Sequence, residues 1–152
     1  MTRYKAIVAY DGSNFFGFQV QTKSGVEVQR TVQGELNKAV NQMAKQPVTP
    51  IKVVGASRTD TGVHAFGQVV HFDLPFDINP VGVSKGLNTL LPRDILIKAV
   101  TKVSDDFHAR FSTHAKRYFY RVSTTAFTDP FKRHYTGHFH WHLDTKIGRA
   151  HV

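Results

Sequence analysis

Arg58, Asp60 and His64 crowd into one short polar connection, Ser57-Arg58-Thr59-Asp60-Thr61-Gly62-Val63-His64. A carboxylate two residues from a guanidinium has a cationic partner that favours its ionised form, and an ionised carboxylate can serve as nucleophile or general base. That makes Asp60 the first candidate for chemistry. Two other readings stand beside it. Thr59-Asp60-Thr61-Gly62 has the composition of an ordinary turn, in which the aspartate bonds its own backbone and glycine supplies a positive φ. Asp60-Thr61-Gly62 is also the tripeptide of aspartic proteases, whose two carboxylates share a proton at close range. The chain holds one such tripeptide, so protease chemistry would require a symmetric dimer, and a surplus of positive charge lends it no support.

Strands must hold this connection in place. Ile51 to Ser57, centred on Val53 and Val54, and Gln68 to Asp73, where Val69 and His71 alternate with Val70 and Phe72, are β-branched runs bounded by turn residues, which predicts a strand pair. A loop on a rigid sheet is where binding and catalytic groups concentrate. Upstream, Tyr4, Ala6, Val8 and Tyr10 share one face of a predicted central strand, Arg3 to Tyr10, closed by the turn Asp11-Gly12-Ser13-Asn14. In the loop Phe15 to Val26, Phe15, Phe16 and Phe18 either cap the core or, beside Lys23, meet unstacked bases. Thr31 reads as the N-cap of a helix to about Lys45, because Val32, Leu36, Ala39, Val40 and Met43 recur on one face; Pro47 and Pro50 end it.

Asn79-Pro80 has the form of an N-cap followed by proline at the first helical position, and Val83, Leu87, Leu90 and Leu91 mark the buried face of a second helix ending before Pro92. Gly82 and Gly86 weaken that helix, so tertiary packing must support it. Ile95 to Val103 is a fourth strand. The order β-α-β-β-α-β predicts an α+β, ferredoxin-like arrangement, an antiparallel sheet with helices on one face. Ala115 to Ser123 is expected as a further strand, with Lys116, Tyr118 and Tyr120 alternating against Arg117, Phe119 and Arg121. It suits either a basic, aromatic floor for RNA or an amphipathic edge strand. Phe131 to Leu143 carries His134, His138, His140 and His142, the last three on one face of a strand; a three-histidine zinc site is one reading of them, although Asp144 is the one obvious supporting carboxylate.

The 152 residues are the size of one ordinary domain, able to bury about 68–70% of the unfolded surface. With no cysteine, disulfides and thiolate metal sites are excluded. No apolar run approaches the roughly 20 residues needed to span a bilayer, and Met1-Thr2-Arg3-Tyr4 leads into a strand, so the chain reads as soluble and cytoplasmic. Twenty Lys and Arg against 11 Asp and Glu give a formal charge of +9, which points to a polyanionic partner. If about five of these cations met phosphates, affinity would fall roughly 500-fold between 50 and 200 mM salt, at ~0.9 ions released per contact.

Gly55 to Phe72, with Arg58-Thr59-Asp60, Gly62-Val63-His64-Ala65 and Gly67-Gln68-Val69-Val70-His71-Phe72, resembles the signature of the TruA family of tRNA pseudouridine synthases. Further segments resemble the same family in the same order: Ala9-Tyr10-Asp11-Gly12, Phe15-Phe16-Gly17-Phe18-Gln19, Arg30-Thr31-Val32-Gln33, Leu91-Pro92-Arg93-Asp94-Ile95, Phe107-His108-Ala109-Arg110-Phe111 and Arg117-Tyr118-Phe119-Tyr120. The resemblance implies isomerisation of uridine to pseudouridine in the anticodon stem-loop of tRNA, at positions 38–40, by an enzyme that is usually a homodimer and uses no metal and no redox cofactor. It puts the catalytic carboxylate on Asp60, gives Arg58 the space left by a flipped-out base, and stacks Tyr118 on the flipped uracil. It further implies that residues 1–143 form the N-terminal half of the pseudouridine synthase fold, the second half supplying further pocket residues. Residues 144–152 follow no part of the pattern and read as a tail from a truncated or misread coding sequence. A noncatalytic RNA-binding module of ferredoxin-like fold, or an inactive fragment of the enzyme, is the alternative.

Overall fold

The structure, a computed structural model, describes residues 1–141 of the chain. They fall into two compact units, Met1–His114 and the described part of Ala115–Val152. The expected tail 144–152 lies outside the described residues, as does His142.

In the first unit, β1 (Thr2–Tyr10) leads through a 3-10 turn at Gly12–Asn14 to a small hairpin, β2 (Thr22–Lys23) and β3 (Val26–Glu27). Helix α1 (Val32–Met43) follows, then β4 (Val54–Gly55), β5 (Ala65–Leu74), α2 (Pro80–Leu90) and β6 (Ile95–Lys102). The sheet order is β4-β5-β1-β6 and all three pairings are antiparallel. This is the ferredoxin-like arrangement expected from the sequence, with β1 central. Tyr4, Ala6, Val8 and Tyr10 of β1 pack in one cluster with Val70, Phe72 and Leu74 of β5, Ile95 and Ile97 of β6, Val32, Leu36, Ala39 and Val40 of α1, and Val83 and Leu87 of α2. Both helices therefore cover the same face. Each fully buried Leu or Val in that cluster is worth about 1.5–3 kcal/mol over an exposed one.

The helix starts follow their cap residues. Thr31 Oγ1 accepts the Gly34 N–H at 3.1 Å, and Asn79 Oδ1 accepts that of Val81 at 2.9 Å with Pro80 at the first helical position. Gly86, unfavourable for helix propensity, leaves room for the Met43 side chain of α1: a Cβ there would meet Met43 Cε at 2.4 Å. The hairpin β2–β3 turns at Ser24 and Gly25, both at positive φ, as a two-residue hairpin of the primed type requires.

Strand β4 is shorter than the expected Ile51 to Ser57, and the backbone leading into it is held by α1. Asn41 bonds both the N–H and the C=O of Ile51, at 2.7 and 2.8 Å. Asn37 Oδ1 accepts the Val53 N–H at 2.8 Å and Gln33 Nε2 donates to Val53 O at 2.7 Å. Residues 33, 37 and 41 lie one turn apart on the helix, so their amides engage a backbone that would otherwise need a strand neighbour.

On the face of the sheet away from the helices, Arg3 grips Asp73 with two hydrogen bonds, 2.8 and 2.9 Å, and its Nη1 donates to the carbonyls of Asp105 and Phe107. His71 is buried there, and its Nδ1 accepts the Ala109 N–H at 2.9 Å. Burial first, then the Arg3 charge and His108, lowers its pKa to about 4, against a smaller opposing pull from Asp73. The Arg3 hydrogen bond holds the Asp73 carboxyl below the usual carboxylate range.

The second unit departs from expectation. Instead of a strand over Ala115 to Ser123 there is only β7 (Val122–Ser123), paired in parallel with β8 (Gly137–His138). Alternation alone does not make a strand; the ladder needs a partner, and residues 115–121 are assigned to no ladder. Tyr118, Phe119, Tyr120, Phe127, Phe131 and Trp141 are all exposed within this unit. Among the described residues, no helix is long and apolar enough to cross a membrane.

Candidate active site

The connection from β4 to β5 is placed by the chain segment that follows β1. On its N-terminal side, Ser57 is tied to β5 by two bonds with the Gln68 amide, 3.1 and 2.8 Å. Thr59 is held twice: its carbonyl accepts the Phe18 N–H at 3.0 Å and its Oγ1 lies 2.6 Å from the Tyr10 hydroxyl. On its C-terminal side, Val63 N–H donates to Asp60 O at 3.1 Å and Gly62 N–H to Phe15 O at 3.3 Å. Gly12 N–H donates to His64 Nδ1 at 2.9 Å, and that nitrogen is 3.1 Å from Asp11 Oδ1. One ring nitrogen cannot accept from Gly12 and donate to Asp11 at once, so the two contacts belong to different placements of the ring proton.

Two glycines make this closeness possible. A Cβ on Gly12 would fall 2.0 Å from Val63 O, and Gly17, at φ +85°, has Thr59 O 2.9 Å from where its Cβ would be. Beneath the loop, Phe15 and Phe18 are core residues, each 2% exposed. Phe16 is exposed, so of the three phenylalanines it alone presents a ring to solvent.

Arg58 and Asp60 are both exposed on this pinned connection. No ion pair joins them: among the described residues neither has an ionic partner within 4.0 Å. An exposed pair contributes at most about 1 kcal/mol, so hydrogen bonds to the backbone around them, rather than their mutual attraction, fix the loop. Tyr118 belongs to the second unit and is 59% exposed.

Arg30 and Asp94, from two of the segments carrying the family resemblance, meet in the fold. The Arg30 guanidinium donates to both Asp94 oxygens at 2.8 and 2.9 Å, and its carbon sits 4.0 Å from the Phe15 ring centroid. The Asp94 hydrogen bond keeps the Arg30 pKa raised. The backbone joins in: Arg30 O accepts from Phe16 N–H and Asp94 O from Asp11 N–H. These two charges are structural braces under the loop. Tyr10, Asp11, Gly12 and Gly17 also escaped assignment to the site from sequence, because their part in it is a contact made across some 50 residues of chain.

Within the second unit a concavity of about 840 Å³ is lined by Tyr120, Arg121, Phe131, Lys132 and Tyr135 among others. His138 and His140 rings stand 4.6 Å apart; His142, the third member of the sequence-level zinc reading, is outside the described residues. Among the described residues, no three His, Cys, Asp or Glu side chains gather so as to hold a metal ion.

Residues 6–112 match the family described as tRNA pseudouridine synthase. A relative from Leuconostoc mesenteroides, named tRNA pseudouridine synthase A, is 74% identical over 144 residues, which is 95% of this chain and 56% of the relative. Proteins of the same name from Lactiplantibacillus plantarum and Oenococcus oeni are 59% and 57% identical, covering 94% and 99% of this chain and 53% and 58% of their own lengths. The chain thus spans about half the length of the curated relatives it matches.

Proposed function

The chain belongs to the tRNA pseudouridine synthase family, and from that membership we propose that residues 1–143 are the N-terminal catalytic half of an enzyme that isomerises uridine to pseudouridine in tRNA. In this reaction the bond from uracil N1 to ribose C1′ breaks, the base turns, and a bond from C5 to C1′ forms; C5 loses a proton and N1 gains one. Atoms balance without an oxidant or reductant. Asp60 is the reacting carboxylate, as nucleophile or as base. A base stacked in an A-form stem must be flipped out at a cost of a few kcal/mol; Arg58 fills the vacated space and Tyr118 stacks on the uracil. The same reading takes the anticodon stem-loop, positions 38–40, as substrate, a homodimer as the working form and the cytoplasm as the compartment. The charge of +9 supports a polyanionic substrate gripped by its phosphates and 2′-hydroxyls.

The observation that carries the reading is an exposed carboxylate, Asp60, on a loop anchored on both sides, within the residues that match the family. Pseudouridine mapping on unmodified tRNA tests it, comparing the chain with Asp60→Asn. The parent is expected to form product and the variant about 10²–10⁴-fold less. Equal product from both would remove Asp60 from the reaction. Silence from both, with tRNA binding that weakens steeply with salt, would leave RNA binding as this chain's activity.

A further inference from the structure

We infer that the Tyr10 hydroxyl is a positioning group for Asp60, acting through Thr59. This rests on the reading of Asp60 as the reacting carboxylate, but its structural part can be tested without turnover. Tyr10 is the last residue of β1, its ring is 4% exposed, and it sits in the core cluster. Its hydroxyl emerges at the base of the Asp60 connection, 2.6 Å from Thr59 Oγ1, one residue from Asp60. Thr59 O is held at the same time by Phe18 N–H. A side-chain bond and a backbone bond thus fix both ends of one residue, and the peptide leading into Asp60 inherits its orientation from the central strand of the sheet.

Asp60 has no ionic partner within 4.0 Å among the described residues, so its position depends on its neighbours. A displacement of about 1 Å at a reacting group can cost 10²-fold in rate. Removing the Tyr10 hydroxyl leaves the buried ring in place and frees Thr59 Oγ1 at the partly exposed loop, so the loop loosens while the core is kept.

The test uses the full chain with Tyr10→Phe, Thr59→Val, Thr59→Ser and the double variant Tyr10→Phe/Thr59→Val. Amide hydrogen exchange is read at Phe18, Gly62 and Val63, with the β1–β5 ladder as reference. Tyr10→Phe and Thr59→Val should each speed exchange at those amides about 10-fold relative to the ladder, the double variant should add little further, and Thr59→Ser, which keeps the hydroxyl, should restore the parent rates. Uniform acceleration across the ladder and the loop, or no change at either, would overturn the inference. With tRNA as substrate, the variants lacking either hydroxyl should lower kcat about 10-fold with KM unchanged, since Tyr10 is buried and does not meet RNA. A kcat equal to the parent's would overturn it equally. A parent that makes no pseudouridine would count against the proposed function instead, and the exchange result would still decide the anchoring.

Discussion

The connection around Asp60 and the stretch 115–141 carry similar side chains, exposed charges beside aromatic rings, yet they are held in different ways. Around Asp60 the aromatic partners Phe15 and Phe18 are sunk in the core, and backbone donors and acceptors on both flanks are engaged by the segment after β1. In 115–141 most of the aromatics stand in solvent, Tyr120 at 89% and Phe131 at 92%, and one two-residue ladder pairs the strands. Two side chains of equal exposure can therefore differ in how well they are placed. What decides it is whether the residues beside them are buried.

The sharpest way to break the contrast is Gly12→Ala. With Val63 O 2.0 Å from the new Cβ, the backbone of the pinned loop must move, and stability should fall by about 3 kcal/mol, read as a lower urea midpoint. An unchanged midpoint would show that the loop yields as easily as an unanchored one.

A second expected effect comes from the far face of the first unit. His71 titrates near 4 in the fold, against an ordinary value of 6.5. Between those values the unfolded chain binds a proton that the folded chain does not, so this stability is whole above pH 6.5 and is lost as the pH falls toward 4, at up to about 1.4 kcal/mol per unit. The protonated ring would turn an N–H toward the Ala109 N–H it now accepts. Urea unfolding at pH 7 and pH 5 should differ by about 2 kcal/mol from this group in the parent and by much less in His71→Gln, which keeps an acceptor. Matching pH dependence in the two chains would contradict it.

The smallest expected effect lies in the second unit. Phe131→Ser should change stability by no more than about 0.5 kcal/mol, by the same urea measurement, because its ring leaves little apolar surface covered. A large loss would reveal packing around Phe131 comparable to that around Phe15.

Local signals carried most of the fold. Thr31 and Asn79-Pro80 announced helices at the residues where they begin, and alternation in Tyr4 to Tyr10 identified the buried face of the central strand. The same alternation misled at Lys116 to Arg121, since pairing is a property of two segments and one segment cannot report it. Ser24-Gly25 carries a turn signal of its own inside an aromatic loop. The stripe Gln33, Asn37, Asn41 does not show in the apolar periodicity of α1 because its side chains are polar. At the candidate site, residue type and motif pointed to Asp60 and Arg58, whereas a spacing of two residues suggested an ion pair that the loop does not form. Tyr10, Gly12 and Gly17 could only be recognised once the fold had brought them to Thr59 and Val63.

The helix amides have a consequence for how this sheet meets other chains. A peptide group offers a donor and an acceptor together, and a carboxamide side chain, with its own N–H and C=O, can answer both. Asn41 does so for Ile51, Asn37 and Gln33 share the task at Val53, and Asn88 of α2 does so for Ile97 at the opposite border, with bonds of 2.9 and 2.8 Å. At these places the helices imitate the next strand, so a stray extended chain finds no vacant pair there to copy. Borders of a sheet are where unintended cross-chain growth begins, and here it is blocked at those three residues by the same helices that seal the core.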